Sequence, residues 1–423
     1  MSASYLLKTG LTASTATSYT VSMWVKFTKT SFPSSSPYLW SCGASGSGAQ
    51  GLYMNNSTMK LSYYGHTSYG SGAISDGALR DLSGWYHFVW SVNSGTGTLY
   101  LNGVQQSASI SNVAPLNAHG GTEMAVHTYC GGTYSTYDDA GALMSHVHFI
   151  DGTAYNASTF GSTDSTTGEW KINTSPSVTY GTNGFFLLKD DNAVTDRSGQ
   201  GNNFTSSGTI TKTKDCPSNV FATFNPLDSS AELSYGNTKV ETSSNTWKPA
   251  VATIGLYGTT GKFYYEGKSL TGNNGNYFGV YDLDERTGKS QSNSDSNRFV
   301  YYGNGEIYRT LSGESTISGQ TTWANGDIIG IAIDKSAGSV SWYKNGTLLT
   351  TQTHTDITNK NLAIGTQVGY TSSCCFNFGN GDFAGTSVTS NSGAGYQDAD
   401  GLGIFQHQPP ANHRCLSTKG LNQ

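Results

Sequence analysis

The chain has 423 residues, 35% of them apolar and 12% charged, with 53 glycines and a formal net charge of −5. That length leaves room for two or three domains, each with a core of its own. The 28 acidic and 23 basic residues are scattered without blocks, which excludes the basic footprint of a nucleic-acid binder, and no stretch approaches the ~20 apolar residues of a membrane helix.

Abundant Gly, Ser, Thr and Asn predict many short strands joined by tight turns, and no long helix. From Tyr5 to about Phe160 strand patterns alternate with polar loops. In residues 19–27 (YTVSMWVKF) the period of two puts Met23, Val25 and Phe27 on one face. Shorter strands follow at 38–41, 51–54 and 59–63. Residues 84–104 (GWYHFVWSVNSGTGTLYLNGV) read as strand, Gly-rich turn, strand and Asn-Gly, a β-hairpin signature. Residues 142–150 (ALMSHVHFI) close this region, with Met144, His146, His148 and Ile150 expected on one face and one side of the strand near solvent.

Residues 161–226 are rich in Gly, Asn, Ser and Thr and contain the runs 179–187 (TYGTNGFFL) and 196–204 (DRSGQGNNF). Short strands fixed by glycine turns predict a structured connector here, not a flexible linker. Further on, residues 326–349 (GDIIGIAIDKSAGSVSWYKNGTLL) repeat the hairpin plan of residues 84–104. Two β units therefore sit in one chain.

Six cysteines in so long a chain do not make a disulfide framework, and reduced thiols are expected. Cys374 and Cys375 are adjacent in a strand pattern, so one is expected to be buried and the other partly exposed.

The signals for catalysis are weak. Retaining glycanases need two carboxylates about 5 Å apart, and no E-x-D-x-x-E run occurs; Glu266 is isolated, while Asp282, Asp284 and Glu285 read as solvated loop carboxylates. No nucleophile elbow is present. His146 and His148 lie two apart on a strand, and without a Cys or carboxylate partner they read as hydrogen-bonded histidines, not metal ligands. No cofactor is expected. Calcium is the one ion weighed, at the acidic clusters 137–141 and 282–285, where a plain turn is the preferred reading.

Sugar recognition needs an aromatic ring against the sugar's C–H face with polar groups beside it. Aromatic loops are the candidates: Tyr64, His66 and Tyr69 in residues 63–70, Tyr134, Tyr137 and Asp138 in residues 127–139, and Trp247 in residues 244–249. Trp323 is a further candidate, with burial in the core as its other reading because it stands just before a strand. Tyrosine-rich loops equally suit burial against a sheet edge or a neighbouring subunit.

Residues 22–25 (SMWV), 85–89 (WYHFV) and 99–103 (LYLNG) resemble the laminin-G-like, concanavalin A-like family. Residues 261–266 (GKFYYE), 277–280 (YFGV), 326–334 (GDIIGIAID), 340–346 (VSWYKNG) and 376–379 (FNFG), in that order, resemble a SPRY domain. Between them, residues 147–152 (VHFIDG), 180–185 (YGTNGF), 196–203 and Cys216-Pro217-Ser218-Asn219 look like the connector of virion structural proteins from marine tailed phages, with Ser145-His146 in place of the usual small and acidic pair.

The resemblance implies an all-β chain of two concanavalin A-like antiparallel β-sandwiches. A laminin-G-like unit would span 1–160, the connector 161–226, a SPRY-like unit 227–408 and a C-terminal tail 409–423. It implies a non-enzymatic phage virion surface protein, a head decoration, tail or fibre component, whose partners are a host surface glycan and other virion proteins. A homo-oligomer is expected, with no nucleic acid and no membrane insertion. The opening Met1-Ser2-Ala3-Ser4-Tyr5 lacks the apolar core of a signal peptide, so release from the host cytoplasm by lysis is expected. The alternatives are a glycan-degrading virion enzyme and a cellular adhesin or filament subunit.

Overall fold

The computed structural model of the protein describes residues 4–29, 32, 35–132, 141–189, 194–272, 275–284, 297–311, 316–389 and 395–421. Among them helix is confined to single turns such as Ala157–Thr159 and Thr355–Asn359. The chain divides into two units, Met1–Lys212 and Thr213–Gln423.

The first unit is a sandwich of two antiparallel sheets. One runs in the order Thr205–Ser207, Tyr5–Lys8, Glu123–Val126, Tyr38–Ala44, Gly48–Met54, Leu61–Tyr64, Gly72–Ala73. The other runs Phe185–Leu187, Ala142–Asp151, Tyr19–Phe27, Tyr86–Asn93, Thr96–Leu101, Val104–Ile110. Alternation drives the packing: Val21, Met23, Val25 and Phe27 enter a core shared with Leu39, Trp40, Leu52, Met54, Phe88 and Trp90.

The strand Ala142–Asp151 departs from simple alternation. Its pairing steps from Ser145 opposite Trp24 to His148 opposite Ser22, so three residues advance where the partner advances two. His146 absorbs this β-bulge with a left-handed φ of 48°. Consequently Met144 packs toward the core with Val147 and Phe149, and not beside His148 and Ile150 as strict alternation predicts. Nor does the strand's other side meet solvent. Residues 152–180 cover it, and Tyr155, Phe160, Trp170 and Tyr180 pack with Val89 and Ile150 in a further apolar layer.

The stretch expected as a connector is shared between the units. Phe185–Leu187 and Thr205–Ser207 are edge strands of the first unit's sheets, because Phe185, Leu187 and Phe204 bury in its core. From Thr213 onward the chain belongs to the second unit.

That unit is again a sandwich. One sheet runs Phe224–Ser229, Lys248–Leu256, Leu362–Val368, Asn276–Asp282, Arg298–Tyr302, Glu306–Arg309, Thr316–Ile317. Its partner runs Glu232–Ser234, Lys239–Glu241, Ser373–Asn377, Lys262–Thr271, Ile328–Asp334, Ser339–Lys344, Thr347–Thr353. Ile329, Ile331 and Ile333 face Phe278, Val280, Phe299 and Trp342 in the core, and the Trp342 indole donates to the Phe278 carbonyl at 3.0 Å. Trp323 is buried there, stacked on Phe278 at 5.4 Å, which makes it a core residue and removes it from the sugar-binding candidates.

Two expectations are corrected in this unit. Cys374 and Cys375 are both fully buried, Cys374 in the core and Cys375 against Phe383 and Val388 on the sheet's other side. Both are free thiols. The final segment is not a separate tail either: Arg414 bridges to Phe263, Ser417 to Phe221, and Leu416 enters the core.

Candidate aromatic binding faces

On the second unit, alternation in three neighbouring strands lines up an aromatic face turned away from the core. Tyr277 and Tyr281, Arg298, Val300 and Tyr302, and Tyr308 alternate with the core residues Phe278, Phe299, Tyr301 and Ile307. Tyr302 stacks on the buried Tyr277 at 4.4 Å. Trp247 packs against three rings, tilted against Tyr277 at 4.6 Å and edge-on to Tyr302 at 5.7 Å and Tyr370 at 5.4 Å.

Beneath the rings the Arg298 guanidinium lies 4.9 Å from the centroids of both Tyr277 and Tyr308, a cation–π arrangement. Its Nη1 donates to Gln367 Oε1 at 2.6 Å. Tyr308 and Asn304 both donate to Glu306 Oε2 at 2.8 Å. Burial pushes the Tyr302 phenol up to about 12, so it remains a neutral donor and acceptor.

Local backbone chemistry sets this face. A Cβ on Gly369 would fall 2.8 Å from the Trp247 ring, so the indole's seat requires glycine there. Tyr370 and Thr371 hold left-handed φ values of 53° and 59°, a conformation that costs a non-glycine residue energy and concentrates at functional turns. This turn lifts the Tyr370 ring to 58% exposure beside Trp247.

On the first unit, the predicted Tyr64, His66 and Tyr69 gather around the buried His119. His66 lies 4.8 Å and Tyr69 5.7 Å from His119, with Tyr64 5.9 Å from His66. His119 donates from Nε2 to the Gly65 carbonyl at 3.1 Å. Ring contacts continue from Tyr64 to Tyr129, Tyr38 and Tyr53. Tyr38 and Tyr129 are buried, whereas Tyr53, Tyr64, His66 and Tyr69 are half-buried. Tyr134, Tyr137 and Asp138 lie outside the described residues.

Other buried polar groups are engaged with one another. Under residues 152–180, Trp170 Nε1 donates to His87 Nδ1 at 2.9 Å, while His87 Nε2 lies 2.9 Å from Ser22 Oγ. Indole can only donate, so Nδ1 is the acceptor and Nε2–H donates to Ser22. A nucleophilic serine needs the reverse, a histidine accepting from its hydroxyl. Burial pushes His87 down to about 3, which leaves it uncharged. His148 meets the Tyr180 hydroxyl at 2.9 Å, and burial lowers its pKa too.

Glu266, isolated in sequence, is fully buried under the C-terminal segment. Its carboxylate accepts from the backbone N–H of His407 at 2.8 Å and Gln406 at 2.9 Å, from Asn377 at 3.2 Å and from Tyr264 at 3.3 Å. Asp282 is no solvated loop carboxylate: it is buried and holds Lys360 Nζ at 2.5 Å, while Asp284 accepts from Asn361. Glu285 and residues 137–140 of the other acidic cluster lie outside the described residues. Among the described residues no three His, Cys, Asp or Glu side chains group as a metal site.

Of this face Trp247 is named in the sequence analysis and Tyr277, Arg298, Tyr302 and Tyr308 are not, because loop aromatics were sought there. The available signal was the period of two in 276–282 (NYFGVYD) and 298–302 (RFVYY), which places rings on both faces of each strand.

Residues 2–159 match the concanavalin A-like lectin/glucanases superfamily through its laminin-G-like branch, and residues 262–381 match the SPRY domain. Solved structures similar to this chain include the SPRY domain of human HERC1, at 19% identity over 36% of this chain and 96% of that one, with a TM-score of 0.31. The TRIM65 PSpry domain follows at 13% identity over 37% and 90% of the two chains, TM-score 0.28. A human SPRY domain matches at 12% identity over 36% and 95%, TM-score 0.28. No curated protein matches the sequence. The chain is an all-β protein with a laminin-G-like, concanavalin A-like domain followed by a SPRY domain.

Proposed function

We propose that the protein is a non-enzymatic adhesion protein of a bacteriophage particle, in its head decoration, tail or fibre, that binds host surface glycan and contacts other virion proteins. The observation that carries the reading is the Trp247, Tyr302, Tyr308 and Tyr370 face, whose half-exposed rings are held in place by one another and by Arg298 below. Rigid rings lose little entropy on binding, and their edges leave Glu306 and the phenol hydroxyls to meet sugar hydroxyls. The half-buried Tyr64, His66 and Tyr69 offer the first domain a second surface of the same chemistry.

Passive binding fits the carboxylates. Hydrolysis of a glycoside needs an acid and a second carboxylate facing one bond, whereas Glu266 lies beneath the C-terminal segment and Asp282 is paired with Lys360. The virion placement rests on the order of the two domains and the phage-like motifs between them. Applied to purified host exopolysaccharide, the chain is expected to be retained by the polymer without releasing new reducing ends. New reducing ends would replace this reading with a glycan hydrolase, and immunogold labelling that leaves phage particles bare would remove the virion placement.

A further inference from the structure

We infer that residues 152–180 are an acid-released cover, held on the first unit's sheet through two histidines and lifting as pH falls while the sandwich beneath stays folded. The segment is a unit of its own. Its strands Gly161–Thr163 and Trp170–Ile172 pair with each other and with no strand of the large sheets. Tyr155, Phe160, Trp170, Val178 and Tyr180 then meet Val89, Tyr100 and Ile150 of the sheet in an apolar layer.

The polar fastenings of that layer end on histidine. Among the described residues, the side chains of 156–180 make two hydrogen bonds to the sheet, Trp170 to His87 and Tyr180 to His148, each at 2.9 Å. The Phe160 ring lies against both imidazoles, 6.3 Å from His87 and 5.3 Å from His148. The bond to His87 cannot survive protonation: indole only donates, so a proton on Nδ1 would set one N–H against another. A charge on His148 would enter a stack of rings, with Phe186 at 3.9 Å and Tyr180 at 6.1 Å.

Among the described residues neither ring meets a carboxylate that would offset its charge. Asp164 of the cover pairs with Lys171 at 2.7 Å, and Glu169 is exposed. Asp151 accepts from Ser14 at 3.0 Å and Asn183 at 2.9 Å, and Asp196 accepts the Phe186 N–H at 2.8 Å. The neighbouring cations oppose a further charge. Lys189 lies 5.5 Å from the Phe186 ring, Lys26 is buried on the same side of Tyr19–Phe27 as Ser22, and the third histidine, His146, stands 5.6 Å from Phe186. Burial already holds His87 and His148 below the usual histidine range. Once lifted into water, each ring takes up a proton below about pH 6.5, so acid favours the open form. Between pH 7 and 5 the opening equilibrium should rise about 25-fold for each ring, and several hundredfold for the two.

Hydrogen exchange of the full wild-type chain, corrected for the intrinsic effect of pH, tests this. A two-stranded hairpin is marginal once detached, so amides in residues 161–172 report release. Their protection is expected to fall several hundredfold between pH 7 and 5, while amides in residues 86–93 of the sheet keep theirs. Protection that stays constant, or that falls equally in residues 86–93 because the whole domain unfolds, overturns the proposal. His148→Phe keeps a ring and removes one titrating group, so the fall should shrink to about 25-fold. A fall as large as the wild type's refutes the two-histidine fastening, and the wild-type comparison decides alone if that variant does not fold.

Discussion

The indole of Trp170 donates its N–H to Nδ1 of His87 across 2.9 Å, and that bond decides the chemistry of the buried Ser22–His87 pair. With Nδ1 accepting, the imidazole proton sits on Nε2 and points at the serine. The pair is a structural fastening between the sheet and residues 152–180 that cover it.

Trp170→Phe keeps most of the ring and removes the donor, leaving a buried Nδ1 acceptor unsatisfied. The expected cost is about 1–3 kcal/mol in chemical denaturation, the usual penalty for a buried polar group without its partner. In 15N-labelled wild type, the His87 ring should show the Nε2–H tautomer and no titration between about pH 5 and 8. A ring that titrates near its ordinary value would contradict the geometry.

The two domains carry buried groups of opposite pH sign. His87 is pushed down to about 3 by burial, so on acidification the unfolded chain takes up a proton the folded one refuses, and its contribution to stability is lost as pH falls from about 6.5 toward 3. Burial pushes Glu266 up to about 7, so its contribution is present below about 4.5 and lost as pH rises through about 7. Glu266→Gln removes that dependence. Denaturant unfolding is expected to show the wild type's advantage over this variant larger at about pH 5 than at about pH 7, by on the order of 1–3 kcal/mol. A difference that is flat across the window would contradict the assignment.

Thiol reactivity follows from burial. Cys42, Cys130, Cys374, Cys375 and Cys415 are buried, and burial raises the pKa of each. Cys216 is partly exposed. A neutral disulfide reagent should therefore modify one thiol in the native protein, lost in Cys216→Ser, and all six after denaturation.

The sandwiches were legible because a period of two writes each strand's buried face directly, as in Val21, Met23, Val25 and Phe27. Two features were hidden from that pattern. The bulge at His146 reverses the parity of one strand, and local sequence carries no mark for the extra residue. The cover provided by residues 152–180, and the pairing of Asp282 with Lys360 and of Cys375 with Phe383 and Val388, depend on contacts distant in sequence, which is why one side of the strand at 142–151, Asp282 and Cys375 read as more open than they are. Trp247 was legible as a loop aromatic. Tyr277, Arg298 and Tyr302 were not, since a strand flanked by core residues on one face gives no sign that its other face carries rings as well.

The most direct test of the central claim is the affinity of the full chain for host surface polysaccharide, measured by isothermal titration for the wild type and for Trp247→Ala/Tyr302→Ala. Passive binding through the aromatic face predicts saturable binding weakened roughly tenfold or more by the double variant, as expected when stacking rings are removed, with the polysaccharide unchanged in length. Binding that is equal in the two proteins, or a polymer shortened during the titration, would contradict it.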